Sequence, residues 1–291
     1  LSRLAPWMQP GFDYVSSLKT TGRLPHALLI AGPGGCGEAQ LAGEIALMLI
    51  DRSGDPRAIA HPDYRWIEAD NGAIKVDQIR NLIDFMQQTA QAGALKVAVL
   101  EDAQKMNLNA GNALLKILEE PPLGGHLILV TEAKSAMLPT VISRCQQVSI
   151  KRPTREVAVR WLSEQDLTAD AVEPLLIEYG LAPFHVLEAI HAERKSLWPA
   201  LKAARDRRNS VSNVVDSLRN EDLVEILARW ARFLHRLVVE DRVGSEGTDF
   251  FDDLIDTRRM ALSNSGLNRP LQLERLMFKW RELIIRDRQK N

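Results

Sequence analysis

The pattern of apolar residues along this chain changes about halfway. Up to residue 150, short apolar-rich runs at 27–30, 64–67, 97–100 and 126–130 predict strands, and the segments between them carry apolar residues at helical spacing. Strands that alternate with helices form a parallel sheet with helices on both faces. We therefore predict an N-terminal α/β domain with a parallel sheet.

From Lys151 onward the strand pattern stops, while helical periodicity continues. Segments 154–162, 168–179 and 183–190 predict three short helices, and an all-helical block follows from about Leu197. A chain of 291 residues is long enough for two domains, with three possible.

Two apolar stripes mark the all-helical block. The first spans residues 223–238, and Arg229 is among the charged residues predicted to lie on the opposite, solvated face. The second spans residues 273–284, and residues 244–248 between the stripes are predicted to form a loop. We interpret both stripes as helix-packing surfaces, inside or between subunits, rather than as ligand sites.

A glycine-rich stretch follows the first predicted strand and has the frame of a phosphate-binding loop, with Gly32 and Gly37 at the required spacing. In a working loop, a lysine neutralises the phosphates and a Ser or Thr holds Mg²⁺. Here Glu38 replaces the lysine and Ala39 replaces the hydroxyl residue. We predict a degenerate loop that binds no nucleotide. The alternative is an ordinary glycine-rich turn between a strand and a helix.

Adjacent carboxylates, Glu101 and Asp102, follow the third predicted strand. In nucleotide hydrolases, acids at this position hold Mg²⁺ and act near the attacking water. Acids that simply end a strand at the surface are the common alternative. Because these two acids accompany a degenerate loop, we interpret them as a retained framework without a metal.

The segment Ser143-Arg144-Cys145 lies between a short helical stretch and the last predicted strand. A planar guanidinium at this point could be presented outward to the phosphates of a neighbouring subunit. Taken alone, the residue pattern favours a solvated arginine without a special role.

Composition narrows the possible partners. There are 37 Lys and Arg against 38 Asp and Glu, for a net charge of -1, so no overall positive field holds DNA by counterion release. Cys36 and Cys145 are too few for a four-ligand zinc site and fit a reducing cytoplasm. The sequence has neither a signal-peptide pattern nor an apolar run of about 20 residues, so we expect neither secretion nor a membrane span.

Four blocks of the chain resemble the clamp-loader branch of the AAA+ proteins, and together they span about residues 25–150. They are residues 26–30 with the glycine-rich loop, His61-Pro62-Asp63, residues 112–122, and Ser143-Arg144-Cys145. Loss of the loop Lys and Ser/Thr together with retention of Ser-Arg-Cys is similar to an ATPase-inactive member of that branch.

The resemblance implies three domains: a RecA-like AAA+ domain over residues 1–151, a helical lid over 152–196, and a helical collar over 197–291 that joins a five-subunit ring. It implies a stationary, ATPase-inactive subunit that supports ATP-dependent loading of a sliding clamp onto primed DNA in replication. Arg144, with Ser143 and Cys145, would be an arginine finger offered in trans to the ATP of a neighbouring subunit. The implied partners are motor (gamma/tau) and clamp-opening (delta) subunits, with the clamp and primed DNA contacted through the complex.

Two stretches depart from that branch. Relatives often carry a four-cysteine zinc module before the His-Pro-Asp block, whereas residues 49–61 are few and contain no Cys. Either the module is absent from this protein or a stretch of sequence is omitted here, and in both cases we expect no metal and no cofactor. Active relatives also carry an arginine that senses the γ-phosphate soon after a helix-ending glycine, but residues 180–184 contain none.

Two other functions stay open on the sequence alone. The first is a working ATPase with a degenerate loop, which requires Glu38 to be tolerated beside a tetra-anionic nucleotide. The second is a DNA-binding adaptor that acts outside any ring, which the near-neutral charge disfavours.

Overall fold

The computed structural model describes residues 4–165, 167–263 and 266–285. It divides the chain into two compact units, Leu1–Val157 and Ala158–Asn291, which we call the N-terminal and C-terminal units. No helix within the described ranges is long and apolar enough to cross a membrane. The further division of the C-terminal unit into a lid and a collar stays a prediction.

Strands and helices alternate through the N-terminal unit, as predicted. In chain order the elements are α1 (Gln9–Thr20), β1 (Ala27–Ala31), α2 (Glu38–Leu49), β2 (Tyr64–Ile67), α3 (Val76–Gln87), β3 (Lys96–Leu100), α4 (Leu108–Glu119), β4 (Gly125–Thr131), α5 (Pro139–Ile142) and β5 (Gln146–Ser149). The boundary between the two units falls within the next helix, α6 (Arg155–Ser163).

The described strands form one parallel sheet in the order β2-β3-β4-β1-β5. Strand β1 lies inside the sheet, where Leu28 pairs with Ile128 of β4 and with Gln146 of β5. Every residue of β3 is buried, as expected for a strand that helices cover on both faces. This arrangement confirms the predicted α/β fold.

Helix α4 begins earlier than the sequence indicated. The pattern predicted a helix over residues 112–122, but α4 begins at Leu108 because the side-chain oxygen of Asn107 accepts a hydrogen bond from the Ala110 N–H at 2.8 Å. It ends at Glu119, before the two prolines that cannot continue a helix.

The His-Pro-Asp block has a structural role at the start of β2. The buried carboxylate of Asp63 accepts hydrogen bonds from the N–H groups of Gln91 and Ala92, at 2.8 and 2.6 Å, and the ammonium of Lys96 lies 3.9 Å away. These contacts fasten the loop that precedes β3 to the residue that precedes β2.

The C-terminal unit is helical in its described regular structure, as predicted. After α6 its helices are α7 (Ala169–Glu178), α8 (Pro183–His191), α9 (Trp198–Arg205), α10 (Val211–Ser217), α11 (Leu223–Val239), α12 (Ser245–Ser263) and α13 (Arg269–Glu282). The three short helices predicted first in this region correspond to α6, α7 and α8.

Aromatic rings lie at the centre of the C-terminal core. Trp230 of α11 and Trp280 of α13 are fully buried and meet edge to face, with ring centroids 6.0 Å apart. Phe250 of α12 lies 5.5 Å from Trp230, again edge to face, which is a favoured arrangement of aromatic pairs. The two predicted stripes therefore pack into one core, although Ile284 at the end of the second stripe is 70% exposed.

The prediction that Arg229 lies on a solvated face of α11 is wrong. Its side chain is fully buried, and Nη2 donates to Glu178 at 2.6 Å and to the carbonyl of Lys195 at 2.7 Å, while Nη1 donates to Glu221 at 2.8 Å. A buried guanidinium is tolerated when partners satisfy it in this way. Helical periodicity cannot reveal those partners, because they lie elsewhere in the chain.

The prediction of a loop over residues 244–248 is also wrong, because α12 begins at Ser245. Gly247 lies inside this helix and is buried, and a Cβ atom there would overlap the side chain of Val243. The glycine permits close packing between neighbouring segments. Of the residues predicted to form a loop, all but Gly244 belong to this 19-residue helix.

We expect Asp63→Asn to destabilise the protein in a pH-dependent way. Burial opposes ionisation of Asp63, but the N–H groups of Ala92 and Gln91 and the charge of Lys96 outweigh it and lower the pKa of the carboxyl. A carboxyl with a depressed pKa stabilises the folded state above the pKa of the unfolded chain, about 3.9, and loses that effect as the pH falls through its folded pKa.

The melting-temperature gap between wild type and Asp63→Asn should therefore be full at neutral pH and shrink below about pH 4. Asp84→Asn removes a carboxylate from an exposed site of the same unit and is the matched control. A gap for Asp63→Asn that did not change with pH would contradict the proposed role of the carboxylate.

Replacement of Trp230 by alanine should cost about 3–5 kcal/mol of unfolding free energy, because a fully buried ring is lost from a packed core. Urea denaturation measures the loss. Trp198→Ala is the control, since that ring is 39% exposed and its loss should cost much less. Equal, small losses in the two variants would show that the core is not centred on Trp230.

Candidate functional site

The glycine-rich stretch forms a turn between β1 and α2, in the context predicted from the sequence. Gly34, Gly35 and Gly37 have φ values of 84°, 63° and 94°, which residues with side chains rarely adopt. Successive N–H groups in a turn that enters a helix point into a common space and bind anions. The backbone therefore has the form of a phosphate-binding loop.

The carboxylate of Glu38 occupies the N–H groups of this loop. Its Oε1 accepts a hydrogen bond from the Gly34 N–H and its Oε2 accepts one from the Cys36 N–H, each at 3.0 Å. Glu38 is only 3% exposed, and a Cβ atom at Gly32 would overlap its side chain. The sequence predicted a degenerate loop, because Glu38 replaces the phosphate-binding lysine. The structure adds that the Glu38 carboxylate is bound by the N–H groups that hold phosphate in a working loop.

A second carboxylate, that of Glu132, also contacts the loop and was missed by the sequence reasoning. Its Oε1 accepts a hydrogen bond from the Gly35 N–H at 3.2 Å. A signal was present, because Glu132 directly follows β4, and the loop follows its neighbour β1. The carboxyl ends of neighbouring parallel strands lie at the same edge of a sheet.

The surroundings of the loop shift the pKa values of its titratable side chains. Burial raises the pKa of the Glu38 carboxyl and the nearby Glu132 carboxylate raises it further, while hydrogen bonds from the backbone N–H groups of Glu38, Gly34 and Cys36 oppose both effects. Burial also raises the pKa of the Cys36 thiol, to about 12. Trp7 adds a contact from the N-terminal segment, because its indole N–H donates to the carbonyl of Cys36 at 2.8 Å. The loop is therefore filled and contacted by groups of its own chain.

The acidic pair at the end of β3 is engaged with its neighbours. Glu101 accepts hydrogen bonds from Arg57 Nη2 at 2.7 Å and from Trp66 Nε1 at 2.9 Å, and Asp102 accepts one from Lys105 at 2.7 Å. Strand β4 separates β3 from β1, so a strand lies between these acids and the loop. Among the described residues, no three His, Cys, Asp or Glu side chains group in a way that could hold a metal ion.

The Ser-Arg-Cys segment connects α5 to β5, as predicted. The Ser143 hydroxyl donates to the carbonyl of Thr140 at 3.1 Å, and the buried Cys145 thiol donates to the carbonyl of Val141 at 3.3 Å. Burial raises the pKa of Cys145 to about 11, so this thiol is a packing group rather than a nucleophile. Serine and cysteine thus fasten the turn to α5, and Arg144 between them is exposed.

The guanidinium of Arg144 contacts groups of its own chain, among them the Ser143 hydroxyl, which lies 3.5 Å from Nη1. Nη1 donates to the carbonyl of Thr140 at 3.0 Å, and Nη2 forms an ion pair with Glu119 Oε1 at 2.8 Å. Glu119 is the last residue of α4, and the side chains of Arg144 and Glu119 are 37% and 52% exposed. The sequence reasoning did not identify this pair.

Arg144 and the phosphate loop lie at opposite ends of the strands β1 and β5. Strands β1 and β5 are parallel and pair from Leu28 with Gln146 to Ala31 with Ser149. Arg144 precedes the first pair and the loop follows the last, so at about 3.3 Å per residue at least ~10 Å of strand separates them. The structure therefore brings Glu38 and Glu132 together and leaves Arg144 remote from both.

The chain is similar to known proteins along most of its length. A family model for the DNA polymerase III delta subunit matches residues 12–154. DNA polymerase III subunit delta' of Pseudomonas aeruginosa is 30% identical over 97% of this chain and 99% of its own length, and subunit delta' of Haemophilus influenzae is 31% identical over 57% and 54%.

The fold itself has a counterpart among solved structures. A DNA polymerase III gamma subunit-related protein of Thermotoga maritima matches with a TM-score of 0.58 at 20% identity, and the match covers 92% of this chain and 98% of that one. Together with the similarity along nearly the whole chain to a delta' subunit, this confirms the resemblance to the clamp-loader branch of the AAA+ proteins. This chain belongs to the DNA polymerase III delta' subunit family.

Proposed function

We propose that this protein is the stationary, ATPase-inactive subunit of a clamp loader that places a sliding clamp on primed DNA. In this role it hydrolyses no ATP and contributes to a DNA-directed DNA polymerase assembly through its surfaces and through Arg144. The cytoplasmic location expected from the sequence goes with this role.

The occupied phosphate loop supports the absence of ATP hydrolysis. A triphosphate would have to displace the Glu38 carboxylate from Gly34 and Cys36, and both Glu38 and Glu132 would then face its negative charge. Two like charges about 4 Å apart repel by about 4 kcal/mol at a surface-like dielectric. This argues against the alternative of an active ATPase with a degenerate loop.

The separation of Arg144 from the loop of its own chain is the observation that carries the proposal. The exposed guanidinium lies about one strand length from its own phosphate loop, which Glu38 fills, so it has no nucleotide to contact in its own chain. Presented to a neighbouring subunit, it stabilises the charge that develops as the γ-phosphate is transferred. Arg144 is therefore assigned as a finger for the ATP of an adjacent motor subunit, with Ser143 and Cys145 holding its turn.

The proposed partners are the gamma/tau motor subunits and the delta clamp-opening subunit of a five-membered ring. The lid over residues 152–196 and the collar over 197–291 supply the contacts of that ring in this proposal. A net charge of -1 agrees with DNA contact through the complex rather than by this chain alone. Tight, strongly salt-dependent binding of primed DNA by the isolated chain would instead favour the adaptor alternative.

Restoring the loop chemistry should not create an enzyme. The double variant Glu38→Lys, Ala39→Thr should show no appreciable ATP turnover as an isolated chain, because Glu132 still contacts the loop, residues 180–184 supply no arginine, and no neighbour supplies a finger. Phosphate release assays test this, and a labelled-ATP titration of the wild type should show no saturable micromolar binding. Robust turnover by the double variant would overturn the proposal of an inactive subunit.

Removal of the Arg144 side chain should impair ATP hydrolysis and clamp loading by the complex, but not the folding of this protein. Arg144→Ala should fold and assemble normally, yet lower the ATP hydrolysis that clamp and DNA stimulate, since a finger in trans contributes about 10³ to 10⁵ in rate at its own site. Total hydrolysis should fall in part, because the other motor sites keep their fingers, and clamp loading should fall further.

Arg144→Lys is the conservative variant and should restore little of the hydrolysis and clamp loading lost in Arg144→Ala, because an ammonium keeps the charge without the planar fork. Lys134→Ala is a matched surface control, since Lys134 is exposed and its ammonium lies beside Gln147. Normal clamp loading by an assembled Arg144→Ala complex would return Arg144 to the role of a solvated side chain.

A further inference from the structure

The ion pair between Arg144 and Glu119 has a geometry that conflicts with phosphate binding. A guanidinium binds a phosphate most strongly as a fork, with two N–H groups donating in parallel. Here both terminal nitrogens are engaged in cis, Nη1 with the carbonyl of Thr140 and Nη2 with Glu119. A phosphate that approaches these nitrogens meets the negative charge of the Glu119 carboxylate, so Glu119 competes with a neighbour's phosphates for the guanidinium.

The ion pair between Arg144 and Glu119 is weak enough to break when a stronger anion competes for the guanidinium. Both side chains are substantially exposed, 37% for Arg144 and 52% for Glu119. Exposed ion pairs shift an equilibrium only slightly, up to about fivefold. A bound triphosphate carries several negative charges and outcompetes one carboxylate when it comes within reach of the fork.

We propose that Glu119 is a positioning residue that parks Arg144 against its own subunit and withholds it from the nucleoside triphosphate of the neighbouring subunit. The inference rests on the proposed function of Arg144 as a finger in trans. Glu119 holds Arg144 in place until a neighbour's triphosphate comes within its reach. If clamp and DNA bring that triphosphate closer, the pair sharpens the dependence of hydrolysis on clamp and DNA.

Glu120 supplies a matched control within the same sequence. It is the next residue along the chain, it is exposed, and its replacement by glutamine changes the charge by the same amount. Since the ion pair of Arg144 at this helix end is made by Glu119, Glu120→Gln should leave the behaviour of Arg144 unchanged. Any difference between the two variants then reports the pair and not the general field of the helix end.

The test measures ATP hydrolysis by the assembled complex with motor and clamp-opening subunits, first without and then with clamp and primed DNA. Glu119→Gln should raise the unstimulated rate about two- to fivefold and leave the stimulated rate near that of wild type, so that the stimulation ratio falls. Glu120→Gln should behave as wild type. Melting temperatures of both variants should match the wild type, because the pair is exposed.

The same measurement separates the inference from the proposed function. The double variant Glu119→Gln, Arg144→Ala should have the unstimulated rate of Arg144→Ala, since without the guanidinium there is nothing to release. If Arg144→Ala lowers stimulated hydrolysis but Glu119→Gln does not differ from Glu120→Gln, the parking role is overturned and the finger stands. A lower unstimulated rate in Glu119→Gln also overturns parking. If Arg144→Ala leaves hydrolysis unchanged, the finger and the parking role both fall.

Discussion

The hydrogen bonds between the Glu38 carboxylate and the N–H groups of its own loop are the interaction on which the nucleotide end of this molecule depends. A buried carboxylate is stable only with hydrogen-bond donors, and a glycine-rich turn at a helix start is one of the few backbone forms that supplies several at once. The donors at Gly34 and Cys36 thus serve an internal anion. Glu38 thus keeps the fold of a phosphate loop and occupies its donors with a side chain of the same protein.

The parallel sheet turns this local change into a division of roles. Strands β1 and β5 run in the same direction, so the segment that follows β1 and the segment that precedes β5 lie at opposite ends of these strands. The first segment is the occupied loop, and the second carries Arg144. This chain therefore has a filled loop at one end of these strands and an exposed guanidinium, paired with Glu119, at the other, which suits the proposed role toward a neighbour's nucleotide.

The C-terminal unit contains a second buried charge that depends on its partners. Arg229 of α11 reaches Glu178 at the end of α7, and Glu178 in turn accepts hydrogen bonds from the Ser196 hydroxyl and the Trp198 N–H at the start of α9. Removing one member of such a buried pair leaves an uncompensated charge. The cluster therefore ties three helices of this unit together.

The sequence by itself determined the strands, the degenerate character of the loop and the exposed turn that carries Arg144, because burial on both faces, residue chemistry and local spacing are all written in consecutive positions. The tertiary structure alone decided that Glu132 reaches Gly35, that Arg229 is buried against Glu178, and that Glu119 holds Arg144. These partners are distant in the chain, 97 residues apart for the first pair and 51 for the second. Folding brings these groups together, and the local spacing of residues does not indicate which of them will be in contact.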